Sequence, residues 1–247
     1  MVQTPDSLGE RLCGWLIARA ADPTIEWPYH PRSNDFSDFV RRTFLRDLLD
    51  YGSAVKTMAS RGRIVCDLNV PLISKTSGRK KKIDLVVGCP ERDAPSSDFI
   101  EKAKIGAPLL TLEVKACMTE HGKAAPRLID ELLSSLEVVR GAAKDPVPIA
   151  VLVVNAADHF TSPLNLPGPN IHQQPDATQK LLEHVMERVK VGPKAYAALA
   201  ITIVSFDNEK SAEPLNPLDW VPKDRTYGRA LQIGAKGLED ALRNFKR

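Results

Sequence analysis

Apolar residues recur along the chain with two different periods, and the change between them predicts the order of the elements. Near the N-terminus apolar residues return every three or four positions, which predicts helices over residues 7–21 and 35–50. Apolar residues then form dense or alternating runs at 63–74, 82–88 and 108–117. Such runs are typical of strands, so the first half predicts two helices followed by three strands.

After residue 117 helical and strand patterns alternate. They predict a helix beginning near Pro126, because proline suits the first turn of a helix. A strand at 147–155, a helix at 176–190, a strand at 196–206 and a final helix at 227–245 follow. Three strands in a meander followed by alternating units predict an α/β fold, with a mixed central β-sheet flanked by helices on both faces.

The length of 247 residues accommodates one large domain. We expect a single domain over residues 1–247 with its core at about 36–206. The helix at 7–21 and the segment 207–247 would be additions to that core. The stretch 156–175 is rich in proline, and long loops of this kind are often functional.

Cysteine usage and hydropathy restrict where the protein works. The four cysteines show neither zinc-ligand spacing nor a disulfide framework, which indicates reduced thiols. Residues 1–6 lack the basic and then apolar pattern of a signal peptide. The longest apolar run, 149–154, is too short to span a membrane. We therefore expect a cytoplasmic protein without membrane contact.

Two charged residues interrupt the apolar strand at 108–117. Because side chains alternate between the two faces of a strand, Leu112 and Val114 point into the core while Glu113 and Lys115 share the other face. A carboxylate and an ammonium in such a place need partners.

The preceding strand supplies a second carboxylate. Ile83, Leu85 and Val87 share one face, and Asp84 lies on the other. If the strands pair, Asp84 and Glu113 converge, and a hard divalent cation would remove their mutual repulsion. Lys115 could then stabilise a phosphate or orient an attacking water.

The sequence Ile83-Asp84, followed after an interval by Glu113-Val114-Lys115, resembles the motif of the PD-(D/E)XK nuclease superfamily, which includes many type II restriction endonucleases. The resemblance implies a restriction-endonuclease-like fold, with Mg²⁺ held by Asp84, Glu113 and the carbonyl of Val114. It also implies that Lys115 assists the nucleophile. An acid on the helix before the first strand sometimes contributes in this family, and Asp38 is the candidate for that role.

The motif can also be interpreted without chemistry, as a salt bridge at a sheet edge. Against that interpretation, Glu113-Val114-Lys115 is the only acid-x-Lys triplet among the 31 acids of the chain. It also follows an Asp-bearing strand, as the nuclease motif requires.

Cations near this motif are candidates for contacts with DNA phosphates, although the net charge is only +3. A basic block in the predicted hairpin leads directly to Asp84, and a solvated hairpin tip is an equally good explanation of it. His121 is either a proton carrier or DNA contact, or an ordinary hydrogen-bonded histidine. The loop 163–174, which contains Asn165, could read adenine edges or be an ordinary polar loop. The predicted DNA-binding residues are Arg79, Lys80, Lys81, Lys82, His121, Lys123 and Arg127.

These features together predict a Mg²⁺-dependent endonuclease that hydrolyses double-stranded DNA, most simply a type II restriction endonuclease acting as a homodimer. One alternative is a repair, recombination or transposition nuclease of the same superfamily. The other is a non-catalytic DNA-binding or assembly protein.

Overall fold

The computed structural model describes residues 7–164 and 168–244. No helix within these ranges has the length and apolarity needed to cross a membrane. Short 3-10 turns lie at Pro217–Asp219 and Lys223–Arg225. The described α-helices are α1 Ser7–Ala21, α2 Asp35–Tyr51, α3 Ser53–Ala59, α4 His121–Ala142, α5 Asp176–Arg188 and α6 Tyr227–Asn244.

The described strands are β1 Val65–Ile73, β2 Lys80–Pro90, β3 Ile105–Cys117, β4 Val147–Asn155, β5 His159–Phe160, β6 Asn170–Ile171, β7 Ala198–Phe206 and β8 Ala212–Pro214. Six of these described strands form one sheet, in the order β1-β2-β3-β4-β7-β8. The strands β1, β2 and β3 pair antiparallel, β3, β4 and β7 pair parallel, and β8 is antiparallel to β7. The strands β5 and β6 form a separate pair. The predicted α/β class with a mixed sheet is confirmed.

Helices cover both faces of the sheet, and the central strands are apolar on both sides for this reason. Along β4, Val151 and Val153 pack in one core cluster with α1, α2 and α6. The alternate residues Leu152 and Val154 pack in a second cluster with α4 and α5. Side chains of β3 that point to the second face therefore point toward α4.

The terminal helices belong to the same core as the central strands. Leu12 of α1 and Leu238 of α6 are fully buried in the cluster that contains Val151. The segments that the sequence indicated as additions thus cover one face of the sheet.

The helix α4 begins at His121, one turn earlier than predicted, so Pro126 lies inside the helix and not in its first turn. Glu120, just before it, has a positive φ of 51°. The side chain of His121 is buried and its Nε2 lies 2.7 Å from the carbonyl oxygen of Asn155. This tertiary contact anchors the helix start, and the local proline pattern did not reveal it.

Other element bounds also differ from those predicted. The helix α3 and the short strands β5, β6 and β8 had no clear sequence pattern. The strand β2 begins at Lys80, so most of the basic block lies in the strand and not in the hairpin turn. Tyr196 precedes its strand. Asn165 of the proline-rich loop and Phe245, the predicted end of the last helix, lie outside the described residues.

Candidate active site

The strands β2 and β3 separate at the two predicted acidic positions. Their ladder runs from the pair Pro90–Ile105 to the pair Leu85–Leu112, and continuing the register by one residue sets Asp84 opposite Glu113. In place of a ladder bond, Oδ2 of Asp84 accepts a hydrogen bond of 2.8 Å from the backbone N–H of Val114. The structure therefore brings Asp84 beside the Glu113-Val114-Lys115 segment.

Glu113 and Lys115 lie together on the face of β3 that is covered by α4. Lys115 Nζ lies 2.8 Å from Oε1 of Glu113. The Glu113 side chain is only 4% exposed, whereas that of Lys115 is 21% exposed. The second carboxylate oxygen of Glu113, Oε2, is buried without a hydrogen-bond partner among the described residues. A buried carboxylate oxygen in this condition is costly, and a bound cation would satisfy it.

The environment changes the protonation of both residues. Burial raises the pKa of Glu113, the nearby charge of Asp84 adds to the rise, and Lys115 opposes it without cancelling it. Burial by itself would lower the pKa of Lys115. The adjacent carboxylate of Glu113 has a larger effect in the opposite direction, so the pKa of Lys115 is raised. Lys115 is therefore a stable ammonium at neutral pH and not a general base.

The helix α4 contributes one wall of the site through Glu131. Its Oε2 lies 3.3 Å from Lys115 Nζ, so the ammonium lies between two carboxylates. Lys81 Nζ donates a 2.6 Å hydrogen bond to the carbonyl of Glu131, and burial lowers the pKa of Lys81. Sequence patterns did not indicate Glu131, because helix α4 and strand β3 meet only in the tertiary fold.

The members of the predicted basic block have different surroundings. Lys81 faces the site wall, whereas Lys80 and Lys82 are exposed. Arg79, in the turn before β2, forms a 2.6 Å ion pair with Glu137 of α4. The block is therefore not one continuous cationic surface.

A buried arginine supports Asp84 from the other side of the sheet. Arg41 of α2 is 1% exposed. Its NH1 donates a hydrogen bond of 2.9 Å to the carbonyl oxygen of Asp84 and one of 3.1 Å to Oδ1 of Asn69. The same nitrogen lies 3.7 Å from the Asp84 carboxylate. Burial lowers the pKa of Arg41, and the nearby Asp84 partly offsets that effect.

The sequence patterns did not identify Arg41 as a site residue, although its position in the helix indicates that it is buried. It precedes the buried residues Phe44 and Leu48 by three and seven positions, which places it on the buried face of α2. Asp38, considered as an additional metal ligand, forms an ion pair with Arg41. Its carboxylate therefore already has a cationic partner.

The prediction that His121 contacts DNA is corrected by its position. The ring is buried, makes its polar contact with the Asn155 carbonyl and packs edge-on against His172 with ring centres 4.9 Å apart. Burial lowers the pKa of both histidines. By contrast, Lys123 and Arg127 lie on the exposed surface of α4, where they pair with acids of the same helix region.

The donor set suits a hard cation. Asp84 and Glu113 offer carboxylate oxygens, which are the ligands that Mg²⁺ prefers. Groups of three or more His, Cys, Asp or Glu side chains arranged around one point are absent from the described ranges. A cation here would therefore have two carboxylates as its protein side-chain ligands. The contribution of the Val114 carbonyl stays a prediction.

No known protein-family model matches this chain, and no match was found among curated proteins.

Proposed function

We propose that this chain is a Mg²⁺-dependent endonuclease that hydrolyses phosphodiester bonds of double-stranded DNA, as a site-specific type II restriction endonuclease. The observation that carries the proposal is the buried Oε2 of Glu113, which has no hydrogen-bond partner in the part of the chain that the structure describes, while Asp84 and Lys115 lie beside it. This combination is unfavourable for folding alone and useful for binding a cation next to a phosphate.

A purely structural salt bridge explains the site less well. Glu113 lies on β3, which has partners on both sides in the sheet and is not an edge strand. A buried ion pair stabilises a fold only when its remaining hydrogen-bonding positions are also satisfied. Only one of the two oxygens of Glu113 contacts Lys115.

The side chains have distinct roles in this proposal. Asp84 and Glu113 hold the cation, with Asp84 fixed by the Val114 N–H and by Arg41. When bound, Mg²⁺ supplies Lewis-acid polarisation of a phosphoryl oxygen. Lys115, charged and held between Glu113 and Glu131, stabilises negative charge on the phosphate and orients the attacking water.

The exposed cations Lys123 and Arg127 lie on α4, the helix that also carries Glu131. Contacts of such residues with phosphates would position the duplex over the site without reading its sequence. Arg79, Lys80 and Lys82 would contribute at the start of β2.

The test is cleavage of phage DNA in the presence of Mg²⁺, with Asp84→Ala as the matched inactive variant. Discrete fragments from the wild type and intact DNA with the variant are expected. A smear from the wild type would support a nuclease of repair or recombination and reject restriction. If the wild type leaves the DNA intact, although that DNA contains all short recognition sequences, the proposal is wrong. That result would favour a non-catalytic DNA-binding protein.

A further inference from the structure

A groove of about 520 Å³ lies between α1 and α2, on the face of the sheet opposite α4. Its aromatic wall is a stack of Trp15 on Phe39, with ring centres 4.8 Å apart. The guanidinium of Arg19 covers Trp15 at 4.9 Å. The wall is thus already packed, and its rings are not free to stack on another group.

The charges in this groove do not balance. Asp35 forms a 3.0 Å ion pair with Arg19, and Asp38 is paired with the buried Arg41. Both acids of the groove therefore have arginine partners of their own. Arg42 and Arg46, which also line the groove, are exposed and have no ion pair with any residue in the described part of the chain.

The groove is connected to the candidate active site through one short chain of contacts. Asp38 lines the groove and pairs with Arg41, and Arg41 donates to the carbonyl of Asp84. Asp38 and Arg41 therefore link the groove, on the α2 face of the sheet, to the end of β2 that carries Asp84.

We propose that this groove is a second DNA contact, in which Arg42 and Arg46 bind the phosphate backbone of the same duplex that is cleaved. The inference rests on the proposed nuclease function. The two arginines are four residues apart on α2, a rise of about 6 Å, which is close to the axial rise of two nucleotides along one strand.

The chemistry of the groove favours phosphates over bases. Trp15 is covered by Phe39 and Arg19, so unstacked bases have no platform here. The guanidiniums of Arg42 and Arg46 offer forked donors that match phosphate oxygens. The contact would therefore raise affinity for any DNA sequence.

The experiment measures binding of a short fluorescent DNA duplex in calcium buffer by anisotropy, across a series of salt concentrations. The double variant Arg42→Ala/Arg46→Ala should bind more weakly, and its slope of log affinity against log salt should fall by roughly 1.8, since each lost phosphate contact removes about 0.9. Arg42→Lys/Arg46→Lys should retain most of the wild-type slope because it keeps both charges.

The matched control is Lys144→Ala/Lys236→Ala, which removes two exposed cations beside the start of β4 and outside the groove. It should leave the slope unchanged. If the wild type binds DNA and the groove variant keeps its affinity and slope, the groove inference is wrong while the nuclease proposal stands. If the wild type binds no DNA at all, both proposals fail together.

Discussion

At the scale of single residues, Glu113 combines features that a stable core avoids. Its side chain is nearly fully buried on a central strand, its pKa is raised by burial, and Oε2 has no partner in the described structure. Local features that contradict folding rules concentrate at functional sites.

Binding of a divalent cation should depend on Glu113 and on pH. Calcium should raise the melting temperature of the wild type and leave that of Glu113→Gln unchanged, because the neutral amide holds the cation poorly. Glu183→Gln, an exposed change on α5, is the control and should respond like the wild type.

The pH dependence of that response follows from the raised pKa of Glu113. A proton on Glu113 competes with the cation. The calcium response should therefore disappear as the pH falls through the raised pKa, which lies above the ordinary value of 4.5. In the metal-free protein, the stability of the fold depends on pH in the opposite direction. The contribution of Glu113 to the free energy of unfolding is present below pH 4.5, its ordinary pKa, and is lost as the pH rises through its raised pKa in the folded state. A calcium response that survives in Glu113→Gln would contradict the ligand assignment.

Lys115 should affect the chemical step more than binding. Because it is a stable ammonium beside the proposed phosphate site, Lys115→Ala should lower the single-turnover cleavage rate on the order of a hundredfold. DNA affinity in calcium should change much less. A cleavage rate within about tenfold of the wild type would remove Lys115 from the mechanism.

At the scale of elements, the site depends on the point where the pairing of β2 with β3 ends and on helix α2, which packs next to that point. The ladder ends at Leu85, and Asp84 reaches the N–H of Val114 in its place. Arg41 of α2 holds the Asp84 carbonyl from the opposite side. The position of the carboxylate is thus fixed by three elements together.

Removal of the Arg41 side chain should destabilise the fold and weaken cation binding at once. Arg41→Ala leaves Asp38 and Asp84 without their cation, and breaking a buried pair of this kind costs about 3 kcal/mol of unfolding free energy. Urea denaturation measures the loss, and the neighbouring exposed Arg42→Ala should stay within about 0.5 kcal/mol of the wild type. Equal small losses in the two variants would show that Arg41 is not a support of Asp84.

At the scale of the whole molecule, one nuclease site of the proposed kind would cut one strand. Cleavage of both strands at a symmetric sequence is simplest when two chains meet around a two-fold axis that matches the DNA. The alternative is a monomer that nicks, dissociates and binds again in the other orientation.

We therefore predict a homodimer on the cognate duplex. A mixture of wild-type and Asp84→Ala chains should accumulate nicked circular DNA, because a mixed dimer has one intact site. Light scattering on the complex should give two chains per duplex. Linear product without excess nicked circles, together with one chain per duplex, would exclude the dimer.

The sequence by itself determined the order of elements and the motif. Alternation along β3 placed Glu113 and Lys115 on one face, and periodicity along α1 and α2 gave their bounds within a residue. These features are local: a strand repeats every two residues and a helix every 3.6, so the printed order of side chains contains them. The basic block was also visible, but the division of its side chains among different surroundings was not.

Only the tertiary structure decided which residues from distant segments share the site. Arg41, Glu131 and His121 each depend on a contact between two different elements of the fold. Arg41 reaches Asp84 across 43 positions, and a polar residue on a buried helix face does not reveal its partner. His121 follows the motif strand closely, yet packing against the end of β4 buries it. Burial and pairing are properties of the packed layers, since they arise only when sheet and helices exclude water together.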